Sequence, residues 1–196
     1  MGFFKGLFSL IGGVVVLVGL VAYLFMGDTI SKAQKLDPKA IGLYMDMADG
    51  VLKTGDAAAT MVKTVKVEDD ISIEDVVETM KSVAMDNNML VVGDTIMFRD
   101  GEKDVFGNDT RHVEIVSFCN KQIARDFIDY SVAFGAFMPC RVILTRGKDG
   151  ALYLSTMKLD LMIAGGFPLT PKMLEMAEKV RDTMYAIVDK AAEGDF

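Results

Sequence analysis

The chain has 196 residues, 51% of them hydrophobic, and a formal net charge of −7. That balance, with no stripe of Lys and Arg, excludes the phosphate-neutralising surface that a nucleic-acid partner requires. Two cysteines exclude a disulfide-built scaffold, and the fifteen methionines read first as filler of irregular core gaps, with soft-metal binding as the alternative.

The first element is an uncharged run of 20 residues, Leu7 to Met26, between Lys5 and Asp28. At helical rise such a run covers about 30 Å, the thickness of a bilayer's hydrocarbon core. Val14 to Val18 continue an apolar surface with no polar stripe, which disfavours a buried amphipathic helix. The run is too long for a signal-peptide core, and Val21 to Gly27 carry no small-residue cleavage pattern. The reading is therefore an uncleaved single-pass anchor over residues 1–27, with the lipid bilayer as partner. As a first hydrophobic segment it places the remainder outside the cytoplasm, periplasmic or extracytoplasmic. Gly2, Gly6, Ser9 and Gly13 place small residues on a face that could seat another membrane helix.

About 170 residues follow the anchor, enough for one domain with a core. Residues 28–59 read as a helical connector: Asp37-Pro38 is a helix-start signal, and Gly50 and Gly55 punctuate its end. The domain is placed at 60–196. A strand around Thr60 to Val67 leads into a helix opened by the capping box Ser72-Ile73-Glu74-Asp75 and broken at Asn87-Asn88. Met89 to Phe98 reads as a strand, Arg99 to Thr110 as an exposed loop, and Arg111 to Phe118 as an alternating strand. A helix opens at Asn120. Strands at Arg141–Leu144 and Ala151–Met157 flank a hairpin turn at Gly147 to Gly150, and Thr170-Pro171 starts a last long helix. The order β-α-β-β-α-β-β-α predicts an α+β two-layer sandwich of a mostly antiparallel sheet and helices, preceded by one transmembrane helix.

Phe118-Cys119-Asn120, Phe137-Met138-Pro139-Cys140-Arg141-Val142 and Lys148-Asp149-Gly150 resemble the central motifs of the DUF302 family. Lys158 to Met162, the Pro168 region and the ending Glu193-Gly194-Asp195-Phe196 resemble its proteobacterial branch. The likeness runs over about residues 60–196. It implies a small α+β domain that tends to form a homodimer. It names no activity, and it links some members only to the neighbourhood of redox or sulfur metabolism.

Four residues are candidates for ligand binding. Cys119 sits where a strand gives way to a helix, a place where the helix dipole favours thiolate. Cys140, 21 positions on, opens the next strand. The pair is open to three readings: two small buried hydrophobes, a disulfide or redox pair, or ligands of a soft metal or haem. His112, the only histidine, shares a strand face with Glu114, which allows a hydrogen bond or ion pair. Arg141 could bind an anion, or pair with Glu114 or Asp126. No phosphate-cradling glycine loop, nucleophile elbow or zinc-helix motif occurs, and no carboxylate dyad stands out, so no reaction is specified and no metal site is assigned. The functional expectation is a membrane-anchored binding or accessory module with its pocket near Cys119, Cys140 and His112. Two alternatives stand beside it: a thiol-based redox or sulfur-transfer enzyme using Cys119 and Cys140, and a structural subunit of a membrane complex.

Overall fold

The computed structural model describes residues 2–195. The first helix, α1 (Gly2–Ala33), contains the apolar run. Its side chains at 2–7, 9–10 and 25–26 lie outside the described residues, and most of the predicted small-residue face falls on them. Among the described residues no single helix is long and apolar enough to cross a membrane. Ile11–Leu24 and Gly27–Ala33 do so only as a pair bent by 64°, by length and composition alone. The expectation of one transmembrane helix is corrected to that extent.

The connector does not stand clear of the domain. Asp37 donates its N–H to the Gly166 carbonyl at 2.8 Å, the Tyr44 hydroxyl donates to the Gly165 carbonyl at 2.9 Å, and Ala40 is fully buried. Asp37-Pro38 shapes the turn before the helix rather than capping it: α2 (Ala40–Thr54) starts after Lys39, whose N–H the Asp37 carboxylate accepts. Gly55 ends α2 at φ +68°, whereas Gly50 lies inside it. Asp56 then accepts the N–H groups of Ala58 and Ala59 and starts a short helix, α3 (Ala57–Met61). That cap is why Thr60 and Met61 are helical and the first strand, β1 (Val62–Lys66), begins later than its composition predicts.

The domain's elements follow the predicted order: α4 (Ile73–Asp86), β2 (Leu90–Phe98), β3 (Val113–Cys119), α5 (Lys121–Tyr130), β4 (Cys140–Arg146), β5 (Leu152–Met157) and α7 (Pro171–Glu193). Two short elements were not foreseen: a 3-10 helix at Val132–Phe137 and α6 (Asp160–Ala164). The starts are chemical. Ser72, Asn120 and Thr170 each accept first-turn N–H groups, and Asn88 at φ +58° breaks the chain after α4.

The five strands form one wholly antiparallel sheet in the order β1-β5-β4-β3-β2. Alternation sends Val116 and Phe118 of β3, Val142 and Leu144 of β4 and Leu154 of β5 to one face. There they meet Val76 and Met80 of α4 and Met184 and Ile187 of α7. A second cluster gathers Phe127, Leu159, Ile163, Ala164 and Ala177. The 23-residue α7 serves both: its first turns pack on the second cluster and its later turns on the sheet.

Candidate functional site

The four sequence candidates fall into two places. His112 precedes β3 and Cys119 ends it, so seven residues of extended chain, about 23 Å, separate them. A single pocket joining His112 to the two cysteines is therefore excluded by the strand itself.

At the cysteine end, the register pairs Cys140 with Phe118, not with Cys119. Phe118 faces the helices, and so does Cys140, which packs on both apolar clusters. Cys119 is one residue further on and takes the other side of the pleat. Adjacent strands thus bring the two residues close in space while aiming their side chains at opposite faces, the wrong arrangement for a bridge. Both thiols are free. Burial pushes Cys140 up to about 11, helped by Cys119 nearby. Burial also raises Cys119, against a smaller lowering by Lys121. Arg141 lies across from Ser117 on the open face of the sheet, exposed, and among the described residues it makes no ion pair. Its expected partners are engaged elsewhere: Glu114 with His112, and Asp126 with the Gln122 side chain at 3.0 Å.

The other end of β3 is more polar than the sequence reading anticipated. His112 and Glu114 are both 4% exposed, and His112 Nε2 lies 3.0 Å from Glu114 Oε2. Glu114 is hydrogen-bonded in turn to Asp94 of β2, whose carboxylate takes an ion pair from Lys81 of α4 at 2.6 Å. Burial, reinforced by the Asp94 carboxylate, raises Glu114. Burial acts upward on Asp94 too, but hydrogen bonds from Lys81 and Glu114 outweigh it and hold Asp94 below the ordinary carboxylate range. Asp100 braces the cluster from the following loop. Its Oδ1 accepts the His112 backbone N–H at 3.0 Å and its Oδ2 accepts Arg146 Nε at 2.7 Å. Despite an upward push from burial, these bonds keep Asp100 low. Lys81, Asp94 and Asp100 were not singled out in the sequence. The signal available was Asp94, the one charge in its strand. Among the described residues no three His, Cys, Asp or Glu side chains come together as a metal-ligand set.

A third feature is a cleft of about 550 Å³ between α2–α3 and the start of α6. Leu43, Met47, Met61, Phe137 and Met162 supply its apolar wall, and Asp46, Lys158 and Asp160 its polar groups. Phe137 and Met162 also border a small apolar void of about 70 Å³ that reaches Cys140.

Comparison with curated proteins found no match. Among solved structures, the crystal structure of an uncharacterized conserved DUF302 protein from Bacillus stearothermophilus is similar. It shares 18% identity at a TM-score of 0.52, over 67% of this chain and 98% of that one. The likeness fixes the α+β fold. Residues 63–191 match the family model described as Domain of unknown function DUF302, and the chain belongs to that family.

Proposed function

We propose that this chain is a membrane-tethered binding module that takes a small, mostly apolar ligand in the cleft between α2–α3 and the domain. The observation that carries the reading is the cleft's size and lining. A few hundred cubic ångströms of apolar wall with a few polar groups is the usual make-up of a small-molecule site. Methionines at 47, 61 and 162 suit a wall that adapts to its occupant. The tether is supported by α1, where every described side chain of Ile11–Leu24 is exposed and none carries a charge. The raised thiols of Cys119 and Cys140 weigh against a thiol-based enzyme, since thiolate is the reactive form.

The chain has no tryptophan, so one introduced tryptophan is an unambiguous reporter. Met47→Trp places it in the cleft, and Val132→Trp, at a position 83% exposed, is the control. With the full chain in lipid nanodiscs, a brominated fatty acid is expected to quench the cleft tryptophan saturably and the control only in proportion to concentration. Equal, unsaturable quenching at both positions rejects the ligand reading.

A further inference from the structure

The buried cluster at the head of β3 lies at the opposite end of the sheet from that cleft and is independent of it. We propose that His112 is the ligand-facing group of a second, polar site. In this site the Glu114–Asp94–Lys81 chain fixes the imidazole with Nε2 protonated, leaving Nδ1 to accept a hydrogen bond from an uncharged or cationic N–H or O–H donor.

The side chains of His112 and Glu114 are each 6% exposed, so this is a built interior arrangement and not a surface cluster. Lys81 neutralises Asp94, and Asp94 engages one oxygen of Glu114. Oε2 of Glu114 is then an acceptor whether the carboxyl is charged or protonated toward Asp94. In the proposed tautomer Nε2 of His112 donates to it across the 3.0 Å contact. An imidazole with its one N–H on Nε2 leaves Nδ1 as an acceptor. Nδ1 makes no hydrogen bond with any described residue, yet among the described residues no buried side-chain nitrogen or oxygen is left without a partner. Both statements hold only if Nδ1 reaches open space. That space is a cleft of about 500 Å³ between α4 and the β2–β3 edge, lined by His112 itself. A histidine held through one nitrogen by a carboxylate, with the other nitrogen facing a cleft, is the geometry of an oriented base.

Charge selects the ligand. Lys81 is engaged by Asp94, Arg99 by Glu102 at 3.8 Å, and Asp100 by Arg146. Glu74 and Glu78 of α4 line the same cleft and make no ion pair among the described residues. An anion entering there is repelled by these uncompensated carboxylates, which attract a cation and leave a neutral donor unopposed.

His112 is the only histidine, so its ring nitrogens can be read by ¹⁵N NMR on the full chain in mild detergent at pH 7. Three probes are used: benzamidine as a cationic N–H donor, phenol as a neutral O–H donor, and benzoate as the anion. The expected result is a ring protonated on Nε2, with signals that shift saturably with benzamidine and phenol and not with benzoate. Glu114→Gln, which keeps an acceptor for Nε2–H, retains both tautomer and binding. Glu114→Leu loses the tautomer preference and weakens the probes at least tenfold. A ring protonated on Nδ1, no saturable shift with either donor, or an equal response to benzoate overturns the proposal. The wild-type tautomer and the three probes decide it even if Glu114→Leu fails to fold.

Discussion

Replacing Glu114 by glutamine isolates the energetic cost of a carboxyl buried between a histidine and a second carboxylate. Glutamine has the same shape, can accept His112 Nε2–H through its oxygen and can donate an N–H to Asp94, but it cannot ionise. In the wild-type chain burial raises Glu114, so above the ordinary glutamate range the folded state still holds a proton that the unfolded chain has released. Stability then falls as pH rises. Each pH unit inside that window removes about 1.4 kcal/mol from the wild type and nothing from the variant. Below the ordinary range both states of Glu114 are protonated and the two proteins differ only by a constant, set by how well the amide replaces the carboxyl. Asp94 and Asp100 are lowered in the fold and pull the other way, losing stability as pH falls; Asp100 touches neither form of residue 114 and cancels in the difference, and the glutamine amide keeps a donor on Asp94 in place of the Glu114 carboxyl. The measurement is urea unfolding of the two full-length proteins in mild detergent between pH 4 and 8. The variant-minus-wild-type stability should be flat at the acid end and rise with pH before levelling off. A difference that stays flat throughout, or that falls with pH, refutes the claim that folding desolvates the Glu114 carboxyl.

Three further outcomes are expected. Phe118→Ala, at a fully buried position under the helices, should cost about 3–5 kcal/mol, while Ile115→Ala on the half-open face of the same strand should cost less than about 2 kcal/mol; similar urea-unfolding losses at the two sites would mean that the faces are assigned wrongly. With its thiol pushed up to about 11, Cys140 at pH 8 should react with iodoacetamide roughly 100-fold more slowly in the native chain than in the urea-unfolded one, by peptide mass spectrometry, and mild oxidation should yield no Cys119–Cys140 bridge. Removing residues 1–27 should release the chain from membranes that retain the full-length protein through a carbonate wash; retention of the truncated chain would put the attachment elsewhere.

What could be read from the residues and what could not separates along the range of the interactions involved. Ser72, Asn120 and Thr170 start their helices with side chains that bond two or three positions ahead, and Asn88 and Gly194 turn the chain by their own left-handed backbone. Such signals are complete within a few residues, and the order of the domain's elements followed from them. Thr60 and Met61 went astray because their β-prone composition competes with the cap that Asp56 provides, and the cap wins locally. The site was harder because it is assembled by register. His112 and Glu114 could be put on one face by alternation alone. Asp94 joins them only because β2 pairs beside β3 with bulges at Val91/Gly93 and Ile96/Phe98, and Lys81 only because α4 crosses that edge. The same dependence left the cysteines open to three readings. Their separation along the chain is compatible with a pair, but pairing Phe118 with Cys140 sets Cys119 on the opposite side of the sheet, and one residue of register is the whole difference between a bridge and two unrelated thiols. Chemistry in this domain is therefore decided by which strand positions face each other, and the group with the most unusual surroundings, Glu114, is one whose sequence neighbourhood looks ordinary.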